Sequence, residues 1–284
     1  MTTRTVAHTT DSTNEQVGPF KIKNVLPTRT LRQVDPFLLI HHATPYTIKP
    51  GDTSGRIPPH PHAGFEVVTY LLDGEFFHRD SKGHDQVAHG GDINWMTSGS
   101  GIVHSEGPTD AFKEKGGNVQ LLQIWINLPA DKKQSPASFR HYAGETLPVI
   151  DKNNTSVKVL IGEYEGKSSP VSTHTPMFAY HVRLKAGNLF TMPVDNSYSS
   201  AIYILSGKLN VLNEKVNAGQ LVDFMLNGDQ LAFTAVEDAD LLVFGGLPIK
   251  EKVVSYGPFV MNSFGEIQEA IAKYESGKMG VLDY

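Results

Sequence analysis

The chain has 284 residues, 39% of them hydrophobic and 19% charged, which is enough for one large or two medium domains with a real core. Its net charge of −5 comes without a Lys/Arg cluster, and this excludes nucleic-acid binding through a basic face. It has no cysteine, so disulfides, iron–sulfur clusters and thiolate nucleophiles are excluded, and any redox chemistry must sit on a metal or a bound cofactor.

Residues 1–16 are polar and rich in Thr and Ser, without the apolar core of a signal peptide. They read as a flexible tail. No later run approaches the roughly 18 apolar residues of a membrane span, so a soluble cytoplasmic protein with no membrane contact is expected. Beyond the tail, short β-branched and aromatic runs recur: FEVVTYLL (65–72), VQLLQIWINL (119–128), SVKVLIGEY (156–164), FAYHVRL (178–184), AIYILSG (201–207), KLNVLN (208–213) and DLLVFGG (240–246). Turn residues bound each run, and 26 glycines and 17 prolines supply many more turns, the pattern of an all-β protein. Ser135 to Ser138 reads as an inter-domain link, giving domains over 17–134 and 135–284. One helix closes the chain over about 263–276. Ser263 and Glu266 form a capping box, Ile267, Ala270, Ile271 and Tyr274 make one apolar stripe, and Gly277 stops it.

The chain also repeats itself. YLLDGEF (70–76) answers to YILSGKL (203–209) at an offset of 133, and GGDINWM (90–96) to AGQLVDFM (218–225) at 128. Each copy reads as strand, Gly turn, strand, loop, Gly turn, strand, so two tandem β-barrels follow.

Two segments of the first copy carry chemistry. In an extended strand His60 and His62 project to the same side, with Pro61 between them pointing outward. Downstream, His104 and Glu106 stand at the same spacing after a Gly-rich turn. Adjacent in a barrel, the two pairs would bring three imidazoles and one carboxylate together. At offset 133 His60 and His62 fall on Pro193 and Asp195, and at offset 128 His104 and Glu106 fall on Ala232 and Thr234. The second copy keeps the scaffold and lacks the ligand set, so the first carries the site. Glu66, four residues past His62, is an alternative carboxylate that strand parity leaves open. His78, His84 and His89 lie in the polar stretch HRDSKGHDQVAHGG and read as solvent-facing. His41 and His42 precede a Pro-containing bend, with His42 within reach of the pocket, and His181 reads as a satisfied core histidine.

Three neutral imidazoles and one carboxylate suit Fe(II), Mn, Ni, Cu, Co or Zn, so ligand type alone does not choose the metal. A closed tetrahedral shell would make a structural zinc site, whereas an octahedral ion would keep two positions open. Gly99, Gly101 and Gly107 flank the ligands and are expected to leave room at the metal.

HPHAGFE (60–66), GDINWMTSGSGIVHSE (91–106), LLQIWINLP (121–129) and YGPFVMNSFGEIQEAIAKYESGKMG (256–280) together resemble the pirins, two-domain members of the cupin superfamily. The resemblance implies two cupin-type barrels, a bicupin. It also implies one metal, usually iron, held in the first barrel by His60, His62, His104 and Glu106, and a metal-free second barrel. It decides for Glu106 over Glu66. Thr97 stands where a proline is common in cupins, a departure shared with pirins. Some bacterial pirins resemble quercetin 2,3-dioxygenases, which implies O2-dependent cleavage of a flavonol chelated to the metal, with Glu106 serving as both ligand and base. Other pirins bind a transcription factor or a metabolic enzyme, so a non-catalytic iron-dependent regulator is the alternative.

Overall fold

The computed structural model describes residues 1–282. In chain order the first strands are β1 (Val6–Asp11), β2 (Thr13–Val17), β3 (Phe20–Leu26), β4 (Phe37–Ile48), β5 (Ile57–His62), β6 (Phe65–Asp73), β7 (Glu75–Asp80), β8 (Asp85–His89), β9 (Ile93–Thr97) and β10 (Ile102–Gly107). A short helix α1 (Asp110–Lys115) leads to β11 (Gly117–Asn127) and β12 (Ser138–Tyr142). Then come β13 (Val149–Lys152), β14 (Thr155–Ile161), the small hairpin β15 (Glu163–Tyr164) and β16 (Lys167–Ser168), β17 (Met177–Leu184), β18 (Leu189–Pro193) and β19 (Ser199–Ser206). They are followed by β20 (Lys208–Val211), β21 (Glu214–Asn217), β22 (Gln220–Phe224), β23 (Gln230–Ala235) and β24 (Ala239–Gly246). The chain ends with β25 (Val254–Tyr256), β26 (Phe259–Met261) and helix α2 (Phe264–Glu275). No helix is long and apolar enough to cross a membrane among the described residues.

The strands build two cupin-type units of matching topology. In one, a seven-stranded sheet runs β12-β9-β6-β11-β4-β3-β2, beside a four-stranded sheet β5-β10-β7-β8. In the other, a seven-stranded sheet runs β1-β22-β19-β24-β17-β14-β13, beside β18-β23-β20-β21. The order β9-β6-β11-β4-β3 is thus answered by β22-β19-β24-β17-β14, and β5-β10-β7-β8 by β18-β23-β20-β21. The hairpin glycines found in the sequence repeat are equivalent in three dimensions. Gly74 and Gly207 both have φ > 0 (94° and 82°). A Cβ on either would come within 2.4 Å of the Asn118 carbonyl or 2.2 Å of the Asp238 carbonyl. Only glycine fits that turn in both copies.

The unit boundaries differ from those read in the sequence. Residues 1–13 are no flexible tail; they belong with 24–38 and 146–249. There β1 is an edge strand paired with β22, Val6 opposite Phe224 and Thr10 opposite Leu221. Arg4 is fully buried and donates to the carbonyls of Gly228 (2.9 Å), Tyr198 (2.7 Å) and Asp195 (2.7 Å) and to Ser200 Oγ (2.9 Å). The Thr-rich composition reflects an edge strand rather than disorder. Among the described residues the first cupin comprises 14–23, 39–145 and 250–282, so Ser135 to Ser138 is not the division. Instead β12 pairs with β9, Ser138 opposite Thr97.

Helix α2 spans 264–275 with Ser263 as its N-cap, as the capping box predicts. It belongs, however, to the first cupin. Ile267 and Ala270 are buried with Ala63, Val103, Phe259, Met261 and Met279. Ala63 and Val103 are immediate neighbours of His62 and His104, so the C-terminal segment backs the strands that carry the histidines. The parallel bridge between Ala63 and Phe259, with Val260 N donating to the Ala63 carbonyl at 3.0 Å, fixes that contact.

Candidate metal centre

β5 and β10 are antiparallel neighbours with His104 opposite His60 and Ile102 opposite His62. Cross-strand partners share a face, so all three imidazoles point the same way. Each offers one ring nitrogen, and these atoms lie within 4.8 Å of one another. Ring centroids are 4.3 Å apart for His60 and His104, 4.8 Å for His60 and His62, and 5.0 Å for His62 and His104. The sequence pairing of the two His segments is therefore present as a cluster.

The hydrogen-bond partners of the rings decide which nitrogen each could give to a metal. His60 Nδ1 is 2.8 Å from the Pro58 carbonyl, and His62 Nδ1 is 3.3 Å from the Pro258 carbonyl. A carbonyl only accepts, so both Nδ1 atoms carry the hydrogen and both Nε2 lone pairs are left bare. His104 Nδ1 faces His78 Nδ1 at 3.4 Å, and His104 Nε2 is buried with no hydrogen-bond partner among the described residues. A buried nitrogen without a partner is costly unless something fills the gap. Ligating histidines characteristically donate their other ring N–H to a fixed acceptor, and that arrangement is present here for His60 and His62. The residues fit a metal.

Burial, then the neighbouring His60, pushes the His62 pKa down to about 3; burial, then His62, His60 and His78, holds His104 well below the usual imidazole value. Both rings are neutral near pH 7 with lone pairs available, as metal ligation requires.

Glu106 lies on the same strand, buried, opposite His78 and beyond an irregularity in the β5–β10 pairing. It is not one of the cluster of three. Its Oε1 accepts from Gln123 Nε2 at 2.7 Å. Glu66, the alternative, is buried on β6, where its Oε1 accepts from Trp95 Nε1 (2.9 Å) and Thr97 Oγ1 (2.8 Å). Thr97 thus has work at the position where many cupins keep a proline. Trp125 lies 5.3 Å from the His62 ring, edge-on to it and tilted against Phe65, and contributes an aromatic side chain beside the histidines.

Three expectations need correction. His78 is not solvent-facing: it is buried, stacked on Phe139 at 4.1 Å, with Nε2 3.0 Å from Asp80 Oδ2. His84 is half-buried, its Nδ1 2.9 Å from the same Asp80 oxygen, whereas His89 is exposed as expected. Burial alone would raise the Asp80 carboxyl, but the hydrogen bonds from His78, Lys82 and His84 prevail and hold it below the usual carboxylate value. His42 does not join the site; its Nε2 accepts from Gln120 at 2.8 Å. The glycines make room for protein instead of metal. A Cβ on Gly99 would meet the Ser135 carbonyl at 2.2 Å, on Gly101 the Met279 side chain at 2.6 Å, and on Gly107 the Gly55 carbonyl at 2.9 Å.

Sequence reasoning also missed Lys133. It is fully buried and donates to Asn127 Oδ1 (2.7 Å) and the carbonyls of Gly64 (2.8 Å) and Val260 (3.3 Å), with its pKa lowered to about 8 by burial. It ties β26 to the turn that follows His62. A groove of about 610 Å³ lies elsewhere, on the second cupin among hairpin residues such as Lys152, Lys185 and Asp238. It is open, and Lys185 in it is paired with Asp238 at 2.7 Å. Volume therefore does not mark the chemistry; the histidine cluster does.

A double-sheet cupin unit with three converging imidazoles defines a cupin able to bind a metal. The pirin profile matches residues 19–126, and the profile of the pirin C-terminal cupin domain matches 179–280. The chain belongs to the pirin family. It is 32% identical to a pirin-like protein of Caulobacter vibrioides over 96% of this chain and 94% of that one. A pirin-like protein of Solanum lycopersicum is 35% identical, covering 88% of this chain and 84% of its own. Among solved structures, a quercetin 2,3-dioxygenase from Acinetobacter baumannii superposes with a TM-score of 0.94 at 30% identity, covering 99% of this chain and 100% of that chain.

Proposed function

We propose that this pirin is a quercetin 2,3-dioxygenase-type enzyme that cleaves a flavonol with O2. It would hold one divalent ion, Fe(II) by family resemblance, on His60, His62, His104 and Glu106. The observation that carries the reading is the set of three clustered imidazoles whose Nδ1 atoms are all engaged, with Nε2 of His104 buried without a partner. The likeness to the Acinetobacter enzyme supports the substrate class.

A bound divalent ion supplies Lewis-acid polarisation of the flavonol 3-hydroxyl and an open coordination position. The protein's own part is orientation and proton transfer. The carbonyls of Pro58 and Pro258 hold His60 and His62 in one tautomer. Gln123 grips Glu106 by Oε1, which restrains the carboxylate, and the reading gives its other oxygen the roles of ligand and of acceptor for the 3-hydroxyl proton. Trp125, backed by the buried Phe65, offers an apolar aromatic surface beside His62 to an aromatic ring. The test is incubation of protein loaded separately with Fe, Mn, Ni, Cu or Co with quercetin under O2. Loss of the flavonol absorbance with matching O2 uptake is expected. Absence of turnover with every metal would retire the reading.

A further inference from the structure

His104 differs from the other two histidines in what orients it. His60 and His62 donate to backbone carbonyls, which are fixed acceptors. The partner of His104 Nδ1 is another imidazole nitrogen, His78 Nδ1, and an imidazole nitrogen can be donor or acceptor. Something must hold His78 as the acceptor, or His104 would present a hydrogen and not a lone pair at Nε2.

We propose that Asp80 and His78 are positioning residues that act in series: Asp80 fixes the tautomer of His78, and His78 fixes that of His104. The inference rests on the metal site proposed above. Asp80 lies directly across the β7–β10 ladder from His104, and His78 directly across from Glu106, so both share the inward face with the ligands. Asp80 Oδ2 takes the Nε2 hydrogen of His78 at 3.0 Å. A neutral His78 then has its lone pair on Nδ1, the atom facing His104. The carboxylate is itself immobilised. Its Oδ1 accepts from the backbone N–H of Lys82 at 2.8 Å, and His84 Nδ1 lies 2.9 Å from Oδ2. Phe139, stacked on His78 at 4.1 Å with planes 8° apart, keeps that ring from turning.

The anchoring of Oδ1 gives Asp80→Asn a definite consequence. The amide oxygen of the variant stays on Lys82 N–H, which places its NH2 where Oδ2 stood, facing His78 Nε2. His78 must then accept at Nε2 and carry its hydrogen on Nδ1. Two N–H groups cannot face each other, so His104 shifts its hydrogen to Nε2 and loses the lone pair aimed at the metal.

Two measurements test the series. The first is Co(II) affinity by competition titration, with the wild-type protein and Asp80→Asn compared at equal thermal stability. A weakening of about 10–100-fold is expected, the usual size for loss of a partner that orients a ligand. The second is ring 15N NMR of the metal-free protein, which reads the tautomer directly. His104 should carry its hydrogen on Nδ1 in the wild type and on Nε2 in Asp80→Asn, a change that loss of packing alone does not produce. If Asp80→Asn fails to fold, His78→Phe, which keeps the stacking on Phe139 and removes the acceptor, should weaken Co(II) to the same degree. Unchanged affinity, or a His104 hydrogen on Nε2 in the wild type, overturns the proposal. If the wild type binds no Co(II), the metal reading fails by itself, and the NMR result still decides for or against the series.

Discussion

Where the first cupin sets polar groups facing inward, the second sets apolar ones at the same places. Aligned on the hairpin glycines Gly74 and Gly207, His78 corresponds to Val211. The strand pairings then match Glu106 with Phe233, since Val211 lies one step beyond the Asn210–Thr234 pair as His78 lies across from Glu106. They match His104 with Leu231, and, through the pairs His60–His104 and Met192–Leu231, His60 with Met192 and His62 with Val194. Val211, Phe233, Leu231, Met192 and Val194 all belong to one buried hydrophobic cluster. The same barrel closes without a single one of these imidazoles or carboxylates. Buried polar groups are costly, so their presence in only one copy marks them as functional rather than structural.

The largest expected effect tests that contrast at its centre. A His60→Ala/His104→Ala double variant removes two of the three clustered nitrogens and should abolish stoichiometric metal in the purified protein, read by elemental analysis, while leaving the fold intact by circular dichroism. Truncation in the other barrel should do the reverse. Phe233 is 1% exposed, and Phe233→Ala should cost about 3–5 kcal/mol of stability by urea unfolding, with metal content unchanged. A loss of metal in the second variant, or its retention in the first, would erase the functional distinction between the barrels.

The repeat and the two His pairs were legible because they rest on features that survive without tertiary context: glycine turns, strand parity and a capping box. What was illegible had a common physical cause. Periodicity reading assumes an apolar inward face, and β7 inverts it: His78 and Asp80 point into the barrel while Arg79 is exposed, so HRDSKGHD looks like a loop. β1 hides for the opposite reason, since an edge strand needs few apolar residues. Both offsets were one residue off at the ligand motifs. The offset of 133 pointed to Pro193 and Asp195 beside the buried Met192 and Val194, and that of 128 to Ala232 and Thr234, which alternate with the buried Leu231, Phe233 and Ala235 and face outward. A slip of one residue exchanges the two faces of a strand. The conclusion that the ligands do not recur survived the slip because the inward residues lack ligating groups as well.

The contrast should also appear as a pH dependence carried by the first barrel. The folded pKa of His62 is about 3 against an ordinary 6.5, because burial disfavours the charged ring. Above pH 6.5 the ring is neutral folded and unfolded, and it adds no pH dependence. Below 6.5 only the unfolded chain takes up the proton, so stability falls with pH until about 3. From His62 alone, metal-free protein should lose about 2 kcal/mol between neutral pH and about pH 5, at 1.36 kcal/mol per pH unit. His104 acts in the same direction. Urea midpoints measured across that range check the slope, and His62→Leu should reduce it. A flat profile in the wild type would mean that the imidazoles are not buried as neutral rings.

The smallest effect concerns which barrel the C-terminal helix serves. Ser263 Oγ accepts from Glu266 N at 3.3 Å and donates to Glu266 Oε2 at 2.8 Å, and that carboxylate also accepts from Asn262 N at 3.1 Å. Ser263→Ala should cost about 1 kcal/mol, the ordinary size for an N-cap. Its location is more informative than its size. α2 buries Ile267 and Ala270 behind Ala63 and Val103, and the same segment supplies the Pro258 carbonyl to His62. Amide hydrogen exchange should therefore quicken in α2, β5 and β10 and stay unchanged in β18 and β23. Quickening in β18 and β23 would assign the helix to the second cupin, as the sequence alone suggested. It would also cut the connection by which a helix more than 150 residues downstream steadies a candidate metal ligand.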